Sequence, residues 1–344
     1  VTPERRRLAA LLSLLVVGVV VVTTLIIASE RGNDDPSTGG ASASSTQTPG
    51  TATPVPPSAT PKVVESLGVK VTGNFGDKPK LTIPDKKPPA DLRVEILEKG
   101  SGPEVTAGQS LVVNYLGQTW PTKGKSKVFD NSYDQKAPAA FTIGVGGVIQ
   151  GWDSSLVGQQ LGTRLLVSIP QKLAYGDKTS EDNPAAGHTL LFVVDLISAY
   201  SQDVSAHGEV LNPSGTGLPQ IQNQSDAMPV IKSVKGSSPD GDKPRSALLI
   251  RGDGAKLDPN KFVVFQFTEV DAASGDSHGS TWDTGGPKVT LASRLLEGTP
   301  ALKDQTVGSR AVVVTAAKGK TSKPAVVVVD IIDQLDAEVL GDVG

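Results

Sequence analysis

The run Phe141-Thr142-Ile143-Gly144-Val145-Gly146-Gly147-Val148-Ile149-Gln150-Gly151-Trp152-Asp153 carries the side chains best suited to chemistry in this sequence. It opens with strand-like alternation at Phe141 and Ile143, breaks at three glycines, and resumes with Val148, Trp152 and Leu156 at every fourth position, the spacing of one face of a short helix. Aromatic residues make up only 4% of the chain, and a tryptophan between Gly151 and Asp153 has few local neighbours to pack on. Trp152 therefore reads in one of two ways, as a core plug or as the floor of an apolar pocket. Other chemistries lack their parts. Cysteine is absent, so thiolate chemistry and disulfides are excluded, and His188, His207 and His278 are too scattered for a metal site. No metal and no cofactor is expected. A net charge of −3 and a pI near 5.7 argue against a nucleic-acid surface.

Further motifs stand on either side of this run: Val112-Val113-Asn114-Tyr115-Leu116-Gly117, Phe129-Asp130-Asn131-Ser132, Gly162-Thr163-Arg164, Ala174-Tyr175-Gly176, and the strand Thr189-Leu190-Leu191-Phe192-Val193-Val194-Asp195. Together with Val148-Ile149-Gln150-Gly151-Trp152, and in this order, they make residues 88–200 resemble the FKBP-type peptidyl-prolyl cis-trans isomerases. The resemblance implies an α+β fold, a sheet wrapped around one short helix, and proline-containing polypeptides as substrates. Macrolide immunosuppressants are implied as possible ligands. It also implies site roles. Trp152 would lie under the proline ring, and Tyr115, Phe141, Val148, Ile149 and Phe192 would form the walls, with Phe129 also binding substrate. Tyr175 would donate its hydroxyl to a substrate carbonyl, the Ile149 N–H would hold the chain beyond the proline, and Asp130 would orient Tyr115 at the pocket edge. Tyr115, Asp130, Trp152 and Tyr175 form the catalytic set on this reading. The plainer alternatives remain: Phe141, Val148 and Phe192 as core, and Asp130 as a cap on the Asn131-Ser132 turn. Two departures from the family pattern, Ala139 and Pro184, would open the rim and weaken substrate grip.

The elements that must position these residues divide the chain. In residues 1–32, Arg5-Arg6-Arg7 precede an apolar run at 8–27 that would span about 30 Å as a helix. It is expected to be a single-pass anchor with the remainder extracytoplasmic, or else a cleaved signal segment of a secreted protein. Residues 33–61, rich in Ser, Thr, Pro, Gly and Ala, are expected to form a disordered linker. Residues 62–202 would form the isomerase domain, beginning with an extended arm over 62–89, and residues 203–216 a polar linker. Residues 217–338 repeat the pattern as a second, degenerate FKBP-like domain. Leu248-Leu249-Ile250-Arg251-Gly252-Asp253-Gly254 parallels Ile96-Leu97-Glu98-Lys99-Gly100-Ser101-Gly102, and Gly308-Ser309-Arg310 parallels Gly162-Thr163-Arg164. Arg251-Gly252-Asp253 then reads as a strand-to-turn segment, not an adhesion motif. By this alignment Gln266 stands at Tyr115, Val327 at Phe192 and Trp282-Asp283 at Phe129-Asp130, and the helix around Leu295 is one residue short and lacks a tryptophan. The second repeat would brace the first or hold a partner. Two other functions compete with an isomerase that helps extracytoplasmic proteins fold: a non-catalytic peptide-binding chaperone, and a cell-surface interaction module.

Overall fold

The structure is a computed structural model and describes residues 59–121, 125–176, 183–213, 215–317 and 323–336. The expected anchor at 8–27 lies outside that range, as does the linker up to residue 58. Among the described residues no helix is long and apolar enough to cross a membrane.

The first half contains β1 (Lys62–Val64), β2 (Lys70–Thr72), β3 (Lys80–Thr82), β4 (Arg93–Glu98), β5 (Ser110–Thr119), β6 (Val128–Asn131) and β7 (Ala139–Thr142). Helix α1 (Gln150–Leu156) follows, then β8 (Arg164–Ile169) and β9 (Leu190–Tyr200). Seven strands form one sheet in the order β1-β4-β8-β9-β5-β6, with β7 also on β5. Apart from the parallel β1–β4 pair, the ladders are antiparallel.

All six residues of β8 are buried, and β5 is buried along nearly its whole length. Such continuous burial marks strands covered on both faces. Alternate residues sort to opposite sides: Leu165, Val167 and Ile169 join Trp152 and Leu156 of α1 in the main core, while Leu166 faces the other way. That second face is closed by the β2–β3 hairpin, through Leu67, Val69, Val71, Leu81 and Ile83 packed on Trp120, Leu166, Leu191 and Val193. The segment at 62–89 is thus not an extended lead-in. Its alternating apolar residues are one face of a hairpin that covers the sheet.

One buried ion pair sets where the hairpin lands. Arg164 Nε and Nη2 donate to the two Asp195 carboxylate oxygens at 2.6 and 2.7 Å, while Nη1 and Nη2 donate to the Gly73 and Asp77 carbonyls at 2.6 and 2.8 Å. Asp195 Oδ2 also accepts the Gly76 N–H at 2.8 Å. Full burial of Leu67 or Val69 contributes about 1.5–3 kcal/mol and the half-buried Val71, Leu81 and Ile83 contribute less each, whereas a buried pair adds little net stability. The apolar face therefore holds the hairpin down, and the pair specifies its position.

The second half has β10 (Glu209–Val210), β11 (Gln220–Gln222), β12 (Val230–Ser233), β13 (Arg245–Arg251), β14 (Phe262–Asp271), β15 (Ser277–Ser280) and β16 (Lys288–Leu291). Helix α2 (Ala292–Gly298), β17 (Arg310–Val314) and β18 (Ala325–Leu335) complete it. Its sheet order is β10-β13-β17-β18-β14-β15 with β16 on β14, the same sequence of pairings as in the first half. Arg310 and Asp330, both 0% exposed, form the corresponding pair, and Arg310 holds Asn223, Gln224 and Ala227 as Arg164 holds Gly73 and Asp77.

Aligning the halves on these pairs corrects three details of the sequence comparison. Asn114 lies opposite Asp195 and Gln266 opposite Asp330, so Phe267, not Gln266, stands where Tyr115 does. The Tyr115 N–H donates to Ser132 Oγ and the Phe267 N–H to Thr281 Oγ1, which puts Trp282 at the place of Tyr133, not of Phe129. Both helices have seven residues, so α2 is not shortened. The expected linker at 203–216 is also not a free connection at its start. Ser205 and Ala206 are buried, Gln266 Nε2 donates to the Gln202 carbonyl, and the Ala206 N–H donates to Asp330.

Replacing Asp195 with alanine strands a buried guanidinium. Chemical unfolding of Asp195→Ala should show a loss of about 3–5 kcal/mol, with faster proteolysis of the β2–β3 hairpin; a loss under about 1 kcal/mol would refute the role assigned to this pair.

Candidate active site

Helix α1 enters the concave side of the first sheet because Gly151 lets it. A Cβ at position 151 would lie 2.3 Å from Cγ2 of Ile169, inside any permissible contact. The close approach puts Trp152, 4% exposed, beneath the residues of β5, β7 and β9. Its ring lies nearly perpendicular to those of Tyr115, Phe141 and Phe192, with centroid separations of 5.4, 5.3 and 5.2 Å and interplanar angles of 86°, 88° and 80°. These edge-to-face arrangements match the ring quadrupoles and hold the indole in one orientation.

The loop at 143–149 closes the next side. Asp153, in the first turn of α1, accepts the Gly144 N–H on Oδ1 and the Gly146 N–H on Oδ2, both at 2.7 Å. That clasp sets Val148 and Ile149 at the mouth, and Ile149 caps the helix. Tyr115, Asp130, Phe141, Val148, Ile149, Trp152, Tyr175 and Phe192 line one small cleft that opens to solvent.

Eight of the nine residues expected at the site therefore converge. Phe129 stands one ring back, against Phe192 at 5.6 Å and 89°. Of the two rim departures, Ala139 packs on the core opposite Val113, and Pro184 is exposed beside the buried Ala185 and Ala186.

Sequence reasoning assigned no role to three residues that matter. Gly117, inside β5, faces Phe192 in the ladder; a Cβ there would lie 2.7 Å from Phe192 Cε1 and 2.8 Å from Phe129 Cζ. Its absence makes room for both rings, and a glycine in mid-strand was the available signal. Asp153 and Ser132 act through backbone N–H groups, which sequence spacing does not reveal.

The polar groups are few. Tyr115 OH donates to Asp130 Oδ2 at 2.7 Å. Burial pushes the Asp130 carboxyl above its ordinary value, partly offset by the Tyr115 hydroxyl and the Asn131 N–H. Burial, and then the Asp130 charge, push the Tyr115 and Tyr175 hydroxyls well up, so both are donors at neutral pH. Among the described residues, the buried Tyr175 hydroxyl and Trp152 Nε1 have no hydrogen-bond partner. The cleft thus has aromatic walls and one tethered carboxylate, and two buried donors of its lining residues are without partners among the described residues.

Residues 102–197 match the profile of the FKBP-type peptidyl-prolyl cis-trans isomerases. The FK506-binding protein of Streptomyces anulatus is 39% identical over 123 residues, which cover 36% of this chain and 97% of that protein. The probable FK506-binding protein of Corynebacterium glutamicum is 34% identical over 123 residues, covering 36% and 99%. The FK506-binding protein 1A of Neurospora crassa is 37% identical over 107 residues, covering 31% and 86%. The chain belongs to the FKBP-type peptidyl-prolyl cis-trans isomerase family, and the match lies in its first half.

The raised Asp130 carboxyl has a pH consequence. Between its unfolded value, near 3.8, and its higher folded value, the native state holds a proton that the unfolded chain has released. The contribution of this group to stability is complete below that window and is lost as pH rises through it. Asp130→Asn should melt with the parent at pH 3 and above the parent at pH 7, since the amide oxygen still accepts from Tyr115. Equal melting temperatures at both pH values would contradict the burial argument.

Proposed function

We propose that the first half catalyses cis–trans isomerisation of prolyl peptide bonds in extracytoplasmic polypeptides, with Tyr115, Asp130, Trp152 and Tyr175 as its working residues. The observation that carries this reading is the partnerless Tyr175 hydroxyl in an aromatic cleft floored by Trp152. Rotation about a prolyl bond must break amide resonance, a barrier of about 18–20 kcal/mol. The twisted amide has lost conjugation between nitrogen and carbonyl, so catalysis requires a site that favours that state over the planar one.

An apolar cleft removes water from the planar carbonyl, and the walls formed by Phe141, Val148, Ile149 and Phe192 hold the proline ring over Trp152 while the carbonyl turns. Tyr175 donates to a substrate carbonyl, and the Ile149 N–H takes the chain beyond the proline. A donor already in place incurs no reorganisation at the moment of rotation, and the dry surroundings strengthen its effect. Phe129 supports Phe192 from behind, and Asp130 keeps the Tyr115 hydroxyl turned toward the pocket edge. No proton moves and no covalent intermediate forms. The same aromatic box suits macrolides of the FK506 class, the ligands for which the relatives are named.

The second half is, on this reading, a degenerate FKBP-like domain without activity. Its sheet has the same strand order, but Glu269 and Val327 stand at the places of Gly117 and Phe192, and β16 runs directly into α2 with no counterpart of the 143–149 loop. The Arg5-Arg6-Arg7 cluster before the apolar run at 8–27 supports a membrane anchor with both halves outside the cytoplasm.

In the full-length chain, Trp152→Leu should lower kcat/KM for a prolyl tetrapeptide by about tenfold or more, leaving no residual activity from the second half. Lys99→Ala, at an exposed site, should match the parent. A parent with no acceleration over the uncatalysed rate would leave only a peptide-binding role. Alkaline extraction should leave the chain in the membrane fraction; a secreted form starting after Ala28 would replace the anchor with a cleaved signal.

A further inference from the structure

The two halves meet at the corner of the first sheet where β5 begins and β7 and β9 end. Ser110, 0% exposed, is opposite Thr142 of β7 on one side and Tyr200 of β9 on the other. Its hydroxyl donates to the Pro287 carbonyl at 2.7 Å, just ahead of β16. Beside it, the Tyr200 hydroxyl donates to Asp333 Oδ2 at 2.7 Å, on β18. Gly286, with φ +59°, closes the gap: a Cβ there would lie 3.1 Å from Ser110 Cβ.

The connection between the halves adds to this seam. Gln266 Nε2 donates to the Gln202 and Val204 carbonyls, Trp282 Nε1 lies 3.2 Å from both the Val204 carbonyl and Ser205 Oγ, and the Ala206 N–H is held by Asp330. The connection is thus tied to the second half at Gln202, Val204, Ser205 and Ala206.

Thr142, which ends β7, follows directly on Phe141, whose ring is 5.3 Å from that of Trp152. The geometry points to a clamp: the second half fixes the Phe141 wall of the cleft, with Ser110 and Tyr200 as positioning residues that act through the start of β5, which pairs with β7. This rests on the isomerase reading above and gives the second half a part in that reaction. Phe141 packs against the proline ring in the planar and the twisted state alike, so loosening it weakens binding of both, and the effect falls on KM rather than on kcat.

The test uses the full chain carrying 5-fluorotryptophan, whose three tryptophans, Trp120, Trp152 and Trp282, give separate fluorine signals. Asp333→Ala and Tyr200→Phe each remove the seam bond at β9, while Asp333→Asn keeps an acceptor oxygen. We expect the first two to raise KM about threefold with kcat within about twofold of the parent and to shift the Trp152 signal. Asp333→Asn should restore both readouts. Tyr200→Phe removes one oxygen atom and keeps the ring, so it answers the question even if Asp333→Ala fails to fold. An unmoved Trp152 signal and unchanged KM in Tyr200→Phe would overturn the clamp and leave the seam as packing only. A parent without catalysis would sink the isomerase reading, and the Trp152 signal would still decide the clamp.

Discussion

Arg164 and Asp195 face each other across β8 and β9, almost fully buried, and the rest of the first half depends on that placement. Removing two charges from water costs several kcal/mol per ion, and their attraction offsets this only with good geometry and further hydrogen bonds. Both conditions are met here. The guanidinium reaches two carboxylate oxygens and two hairpin carbonyls. What the pair contributes is register. Because side chains alternate across a strand, a slip of one residue would send every inward residue of β9 to the other face. With Asp195 held opposite Arg164 and Asn114, Phe192 falls opposite Gly117 and Tyr115 opposite Val194, and the rings meet over Trp152.

The second half shows that this frame does not by itself make a cleft. Arg310 and Asp330 hold the same position, and the strands follow the same order. The difference lies in what the frame carries. Gly117 leaves space for two phenylalanine rings, whereas Glu269 at the matching position fills it and lies 3.3 Å from His278, which stands where Phe129 does. Burial pushes the Glu269 carboxyl up, with His278 opposing, so a polar pair stands where Gly117 and Phe129 do in the first half. In the second half β16 ends at Leu291 and α2 begins at Ala292, so the glycine loop that Asp153 clasps, and with it the positions of Val148 and Ile149, has no counterpart between them.

The cleft in the first half has few polar atoms, and each is poised differently. The Tyr115 hydroxyl is committed to Asp130, which keeps a buried carboxylate partnered. The Tyr175 hydroxyl and the Trp152 N–H are uncommitted. A buried donor without an acceptor carries a desolvation cost, and a bound carbonyl would relieve it.

The sequence alone determined the class of fold, the family, and the eight side chains that line the cleft, with Phe129 the one expected residue that stands behind them, because those residues sit in short local motifs whose order survives. Val148-Ile149-Gln150-Gly151-Trp152 shows its helix face by period, and Gly162-Thr163-Arg164 shows its strand by position. Tertiary structure decided what local pattern could not encode. The segment at 62–89 reads as an arm until its apolar face meets Trp120 and Leu166 across the sheet. Gln266 reads as the partner of Tyr115 until the Arg310–Asp330 pair sets the register and assigns that place to Phe267. Gly117 carries no role in the sequence until the Phe192 and Phe129 rings are found where its side chain would be. Each depends on partners far away in sequence, and a periodicity or a motif reports only on near neighbours.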